Sequence, residues 1–394
     1  MMMFDRLAEP SGDALHGVMA RFRADPRPNK IDLGVGVYRD ETGASPVMAA
    51  VRDAERLRIE HQDTKAYQAL AGDHLFIEAM TDLVFGVDGP AVREGRVAAI
   101  QGTGGTGSLR IALELAKLAA ARTRLHLGLP SWPNHLGLAE AAEVELLSHR
   151  YFDVEEGRID LAAIEESADA AGEGDLFLLH GPCHNPTGAD LTTAQRASLH
   201  ATLAERGAVP LIDAAYYGLG DGLAADLELL RDDVAASPRA LVSVACSKSF
   251  GLYRERTGIL FAICASAAER DRVQGQLERI SRTLVSMPPA HGAATVALVL
   301  TQPGLRASWE SELAGMRARM LALRAELAAL TNTAPMLRGV DREKGIFKLL
   351  PLSRDQIDRL ARDHATHMAP SGRANLAGLK AGDAERFAAA LAAI

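Results

Sequence analysis

The sequence has few of the residues that hold a small fold together from outside. Only three cysteines, Cys183, Cys246 and Cys264, occur in 394 residues. They are too few and too scattered for a disulfide framework or a structural zinc site, and they fit a reducing compartment. Aromatic residues make up 5%, with two tryptophans. No apolar stretch reaches the length of a membrane span. The opening segment MMMFDRLAEPSGDALHG has no basic region followed by an apolar core, so no signal peptide is expected. The net charge is -8 and no basic cluster occurs, which makes nucleic acid and anionic membranes poor partners. The expectation is a soluble, cytoplasmic protein.

Hydrophobic residues make up 48% and charged residues 24%. That is ordinary globular composition, ample for a large core, and the length suggests two domains or one with an appendage. No internal repeat or low-complexity linker interrupts it. Apolar runs bounded by Gly or Pro predict strands at Val97–Ile100, Arg124–Gly128, Leu176–His180, Val209–Ile212, Leu241–Cys246 and Gly258–Ile263. Runs without strict alternation suit strands buried on both faces. Helical patterns at Ser108–Ala121, Leu161–Ala171 and Ala194–Glu205 lie between them. Strand–helix alternation predicts an α/β domain with a mainly parallel sheet, which binds ligands beyond the carboxyl ends of its strands. In the last third, a long helix at Leu305–Leu330 precedes a short strand at Gly345–Leu350 and a helix at Arg354–His364. Together with the N-terminal segment these predict a smaller α/β domain.

Several residues at the predicted strand ends have chemistry to offer. Lys248 follows the run Leu241–Cys246. A lone lysine is usually solvated, but one at the mouth of a buried strand is partly desolvated. Its pKa then falls, and a neutral amine can condense with an aldehyde. Asp213 closes another apolar run, VPLID. It reads either as a turn or helix cap or as a buried carboxylate in need of a cation, such as a protonated pyridine nitrogen. Tyr216, three residues on, packs in the core or reaches a ring hydroxyl. In QGTGGTGSLR, Gly105, Thr106 and Gly107 stand at a helix start, where free N–H groups suit a phosphate. The spacing is neither a dinucleotide fingerprint nor a Walker motif, so a purely structural turn is equally compatible. Arg256 is a surface arginine or a second phosphate ligand. His180, Cys183 and His184 make a thin metal set, for which no metal is expected. Asn185 opens a tight Asn-Pro-Thr-Gly turn. Trp132 is a core residue or a ring that stacks on an aromatic cofactor.

Taken in order, GGTG, PSWPNH, CHNPTG, DAAY, SKSFGLYRER, PPAHG and SGR resemble the class I aminotransferases, in the branch of the aspartate and aromatic amino acid aminotransferases. The similarity runs from FRADPRPNKIDLGVGVYRDETG to SGRANLAGL, nearly the whole chain. It implies the fold type I architecture of pyridoxal 5'-phosphate (PLP) enzymes. The large domain would span residues 41–304 and the small one 305–394, with 1–40 as an arm and part of the small domain. The enzyme would work as a homodimer on amino acids and 2-oxo acids. Lys248 would bond the cofactor covalently and then shuttle a proton. Asp213 would pair with the ring nitrogen, Tyr216 and Asn185 with the ring oxygen, and Trp132 would stack. Gly105, Thr106 and Arg256 would hold the phosphate, joined by Tyr67 of the neighbouring subunit. Arg373 would bind the substrate α-carboxylate and Arg282, across the subunit boundary, a distal carboxylate. Gly36 and Phe347 would line the substrate pocket.

The chain departs from the family pattern at three places. Ala245 stands where a phosphate-binding serine is usual. Ala66 replaces a polar amide, and Met287 replaces a polar residue after Ser286; both changes suit a pocket relaxed toward apolar side chains. The segment Asn332–Lys344 is also short. The function expected is transfer of the amino group of aspartate, aromatic amino acids or both to 2-oxoglutarate. The alternatives are another PLP reaction on the same scaffold, such as β-decarboxylation or β-elimination, and an inert binding module.

Overall fold

The computed structural model describes Phe4, Leu7 and residues 14–394. Its centre is a seven-stranded sheet in the order Val97–Thr103, Thr257–Ile263, Ala240–Ala245, Val209–Ala214, Leu176–His180, Arg124–Leu129, Glu145–Arg150. All strands run one way except Thr257–Ile263, which is antiparallel to both its neighbours. The sheet is therefore mainly parallel, as predicted. The exception has a simple cause: residues 246–256 are too few for a crossover helix, so the chain turns back instead.

Helices cover both faces, which is why the central strands read as unbroken apolar runs; every residue of Thr257–Ile263 and Ala240–Ala245 is buried. The helix Gly104–Ala119 places Leu109, Ile111, Ala112, Leu115 and Ala116 against one face. Thr192 and Gln195 form a reciprocal capping box at the start of Thr193–Arg206, and Gly207, at φ 72°, ends that helix in the left-handed region. The edge strand Glu145–Arg150 escaped the sequence reading because its side chains are largely polar and half exposed, with no apolar run to mark it.

The N-terminal segment joins the last third of the chain. Ile31–Leu33 pairs in parallel with Thr366–Met368, and Phe347–Leu349 pairs antiparallel with Arg373–Asn375. The 27-residue helix Pro303–Ala329 connects these small sheets to the central one. Its Trp309 is fully buried, stacks on Phe250 at 4.5 Å between ring centroids, and donates from Nε1 to the Ser249 carbonyl at 2.7 Å. One indole thus ties the long helix to the turn that carries Lys248. Among the described residues, no helix is long and apolar enough to cross a membrane.

Replacing Trp309 with Leu removes both the stack and the donor and leaves a void. The expected loss is about 3 kcal/mol of unfolding free energy, read by equilibrium denaturation of the cofactor-free chain at fixed protein concentration. A loss under about 1 kcal/mol would show that the helix does not depend on this contact.

Candidate active site

Five strand termini meet at one edge of the sheet, and a cavity of about 230 Å³ opens there. Its walls include Gly36, Gly105, Thr106, Trp132, Asn185, Asp213, Tyr216, Lys248, Arg256, Phe347 and Arg373. Eleven of the thirteen residues to which the resemblance gives a site role are thus in one place. A larger hollow, about 810 Å³, opens at the opposite strand ends, but its Arg239 and Arg122 are held by Glu269 and Glu145.

Asp213 anchors the floor. It ends the strand Val209–Ala214 and is buried. Burial alone would raise its pKa, but the hydrogen bond from His135 and the nearby positive charge of Lys248 outweigh that and hold it below the usual carboxylate range. His135 Nε2 lies 3.1 Å from Asp213 Oδ2. His135 Nδ1 meets Ser131 Oγ at 2.8 Å, and Ser131 Oγ meets His180 Nε2 at 3.0 Å. A chain of donation from His180 to Ser131, from Ser131 to His135 and from His135 to Asp213 satisfies all three contacts. His180 is kept neutral by burial and by its histidine neighbours His184 and His135. The sequence marks neither Ser131 nor His135, and offers His180 only within a metal set for which no metal is expected. Ser131 follows the strand Arg124–Leu129, His135 stands in the first turn of the helix Pro133–Ala141, and His180 ends Leu176–His180.

Lys248 sits on the short helix Cys246–Ser249, directly after the strand Ala240–Ala245. Burial pushes its amine down to about 8, with Arg256 and Arg373 adding to the effect and Asp213 opposing it. Its Nζ lies 4.9 Å from the centroid of the Tyr216 ring. Tyr216 follows Asp213 without a helical turn: residues 215–216 are irregular, yet Tyr216 lines the cavity. Its hydroxyl has no hydrogen bond to a described residue, and burial raises its pKa.

At one end of the cavity, Gly104–Thr106 form the first turn of the helix Gly104–Ala119, which starts earlier than predicted. Gly104 has φ +70°, and a Cβ there would stand 2.6 Å from Arg256 Nη2. The guanidinium therefore lies directly over the helix N-terminus, where backbone N–H groups are unpaired. At the other end, Arg373 donates Nη2 to the Gly34 carbonyl at 2.9 Å, lies 4.7 Å over the Phe347 ring, and keeps a buried Nε with no partner. Burial lowers its pKa. A Cβ on Gly36 would stand 3.0 Å from Phe347 Cζ, so only glycine leaves that wall open. Asn185 Oδ1 is likewise buried and unpartnered.

Tyr67 and Arg282 are the two candidates absent from the cavity. Tyr67 is 90% exposed, and Arg282 is exposed near the end of Ala267–Leu284, donating to Ser286 Oγ at 3.0 Å. They lie on one surface, since Gln68 N donates to Met287 Sδ at 2.8 Å.

These features fit PLP. An anion cradle without a carboxylate, an ionised buried Asp, an amine poised near neutrality and two unmet polar side chains suit a phosphate, a pyridinium, an aldehyde and a carboxylated substrate, respectively. Ala245 lines the cavity and has no hydroxyl to offer; Thr106 and Ser247 are the lining residues with an aliphatic hydroxyl.

The family described as aminotransferase class I and II matches residues 28–391 of the chain. A tyrosine aminotransferase of Rhizobium meliloti (strain 1021) is 44% identical over 98% of both chains. An aspartate aminotransferase of Escherichia coli (strain K12) is 37% identical over 96% of both. The solved aromatic-amino-acid aminotransferase of Burkholderia pseudomallei, covalently bound to pyridoxal phosphate, superposes with a TM-score of 0.96 at 36% identity, covering 100% of this chain and 99% of that one.

The depressed Lys248 pKa has a measurable consequence in the cofactor-free protein. A free lysine titrates at 10.5, and burial brings Lys248 down to about 8. Below pH 8 both states carry the proton and folding bears the full cost of burying the charge. Between about 8 and 10.5 only the unfolded chain keeps it, so this residue's contribution to stability improves as pH rises. Lys248→Met removes that cost at every pH. The cofactor-free variant should exceed the parent in stability most at pH 7, with the gap shrinking toward pH 10. A gap that widens with pH would contradict the assignment of a desolvated amine.

Proposed function

The chain belongs to the class I and II aminotransferases, enzymes that use pyridoxal phosphate, and from that premise we propose that it transfers the amino group of both dicarboxylic and aromatic amino acids to 2-oxoglutarate at one site. The observation that carries this reading is the meeting of Lys248, Asp213 and Arg373 in a single cavity at the carboxyl edge of the sheet. When bound, the cofactor supplies an aldehyde for amines and a ring that draws electrons from the substrate α-carbon.

The chain's own residues do the rest. Asp213 holds a proton on the ring nitrogen, and the His135–Ser131–His180 chain keeps that carboxylate ionised and oriented. Tyr216 and Asn185 would bond the ring oxygen and Trp132 would stack on the ring. The N–H groups of Gly105 and Thr106, with the Arg256 guanidinium, hold the phosphate. Arg373 clamps the substrate α-carboxylate, supplying the partner its buried Nε lacks, and Gly36 and Phe347 shape the wall beside it. Lys248 Nζ takes the α-proton and returns it on the other side of the exchange.

Tyr67 and Arg282 complete the site of a second copy. Next to Arg282 the chain also exposes Leu284 at 42% and Val285 at 40%, apolar groups that a two-fold partner would cover. In the dimer Tyr67 reaches the neighbour's phosphate and Arg282 the distal carboxylate of its substrate. Residues 41–304 then form the cofactor domain, and 305–394 with the described part of the 1–40 arm the smaller one; the rest of that arm lies outside the described residues. The working place is the cytoplasm.

Met287 and Ala66 flank this entrance with flexible or small apolar groups, which allows Arg282 to leave for water when an aromatic donor enters. The test is the specificity constant for aspartate and for phenylalanine with 2-oxoglutarate as acceptor. Arg282→Ala should cost the aspartate reaction about 2–5 kcal/mol, the range for removing one partner of a buried charge pair, and the phenylalanine reaction much less. Equal losses would place Arg282 in support of the fold. Product formed without consumption of 2-oxoglutarate would refute aminotransfer.

A further inference from the structure

Arg324 lies on the long helix Pro303–Ala329, is 1% exposed and belongs to no group assigned above. Its guanidinium is saturated. Nη2 donates to the carbonyls of Phe347 at 2.7 Å, Lys344 at 2.9 Å and Gly345 at 3.0 Å. Nη1 donates to the Val340 carbonyl at 2.9 Å and to Glu343 Oε2 at 3.4 Å. Glu343 Oε1 in turn accepts from Lys348 Nζ at 2.7 Å. A planar fork that engages four carbonyls of one segment fixes that segment's path.

The segment so fixed is pressed against the turn that carries Asn185. Lys344 N donates to the Gly188 carbonyl at 2.7 Å. Gly188 has φ +72°, and a Cβ on it would stand 2.8 Å from the Phe347 carbonyl and 3.0 Å from that of Lys344. A Cβ on Gly345 would stand 2.6 Å from Cys183 Cβ. At Gly188 backbone thus meets backbone, and at Gly345 the backbone meets the Cys183 side chain, with room for nothing more. Immediately beyond this seam the Phe347 ring supports the Arg373 guanidinium at 4.7 Å and meets Tyr216 edge-on at 5.7 Å.

We propose that Arg324 is a positioning residue for substrate binding: by holding residues 340–347 on the Asn185–Gly188 turn, it sets where Phe347 places the Arg373 guanidinium relative to the cofactor-ring side of the cavity. The inference rests on Arg373 being the α-carboxylate site. It differs from a general stabilising role in what it moves. A structural defect lowers the fraction of folded molecules, whereas a displaced Arg373 weakens carboxylate binding by the molecules that are folded.

The experiment titrates holoenzyme with 3-phenylpropanoate, a carboxylate that lacks the amine, and reads its dissociation constant from the cofactor absorbance. Three variants are compared with the parent. Arg324→Lys keeps the charge but loses the fork. Gly188→Ala disturbs the same seam from the other side and leaves Arg324 intact. Arg373→Leu removes the binding group itself. Arg324→Lys and Gly188→Ala should each weaken binding about ten- to a hundredfold, the scale of an ångström-sized misplacement, and Arg373→Leu at least as much. If Arg373→Leu alone weakens binding, and the other two stay within about twofold, the positioning role is overturned. If Arg373→Leu leaves binding unchanged, it is the carboxylate assignment that fails. Should Arg324→Lys not fold, Gly188→Ala decides the matter.

Discussion

Asp213 lies where a carboxylate has little water to ionise into, at the end of a strand buried on both faces. Without help it would take up a proton and lose its use as a counter-charge. The hydrogen bond from His135, backed through Ser131 by His180, keeps it ionised. The rest of the site is arranged around that charge. Lys248 sits on the helical turn just beyond the neighbouring strand, close enough to feel Asp213 yet buried enough to surrender its proton easily. Both pKa values are lowered, so the same environment keeps the acid ionised and brings the amine toward its neutral form, the pattern expected where acid–base chemistry is performed at neutral pH.

The sheet makes this arrangement stiff. Asp213 and Ser243 are paired in register on adjacent parallel strands, and His180 pairs with Asp213 on the other side. Side chains at such positions inherit the spacing of the ladder and need no loop to order them. The two arginines show a contrast of design. Arg324 has its donors occupied by carbonyls and a carboxylate, whereas Arg373 keeps a buried Nε without a partner. A saturated guanidinium holds structure; an unsaturated one waits for a ligand.

Much of this was legible in the sequence, and for identifiable reasons. Lys248 and Asp213 stand out because each ends an apolar run, and a buried parallel strand delivers its last residue to the ligand edge. The central strands were placed to within a few residues because burial on both faces leaves an unbroken apolar signal. Ser131, His135 and His180 were not assembled, since their contacts join three different strand ends and depend on which strands become neighbours. The edge strand Glu145–Arg150 lacked the apolar signal altogether. The reversal of Thr257–Ile263 could have been inferred from its short connection. Tyr67 and Arg282 were chosen by resemblance alone, and nothing in their local sequence marks them as functional.

The account stands on Lys248 as the residue that holds the cofactor. Reduction of the yellow holoenzyme with borohydride, followed by proteolysis and peptide mapping, tests this most directly. The label should be recovered on the peptide that contains Lys248, at about one per chain. Recovery on any other lysine, or a fully dialysable cofactor after reduction, would contradict the account.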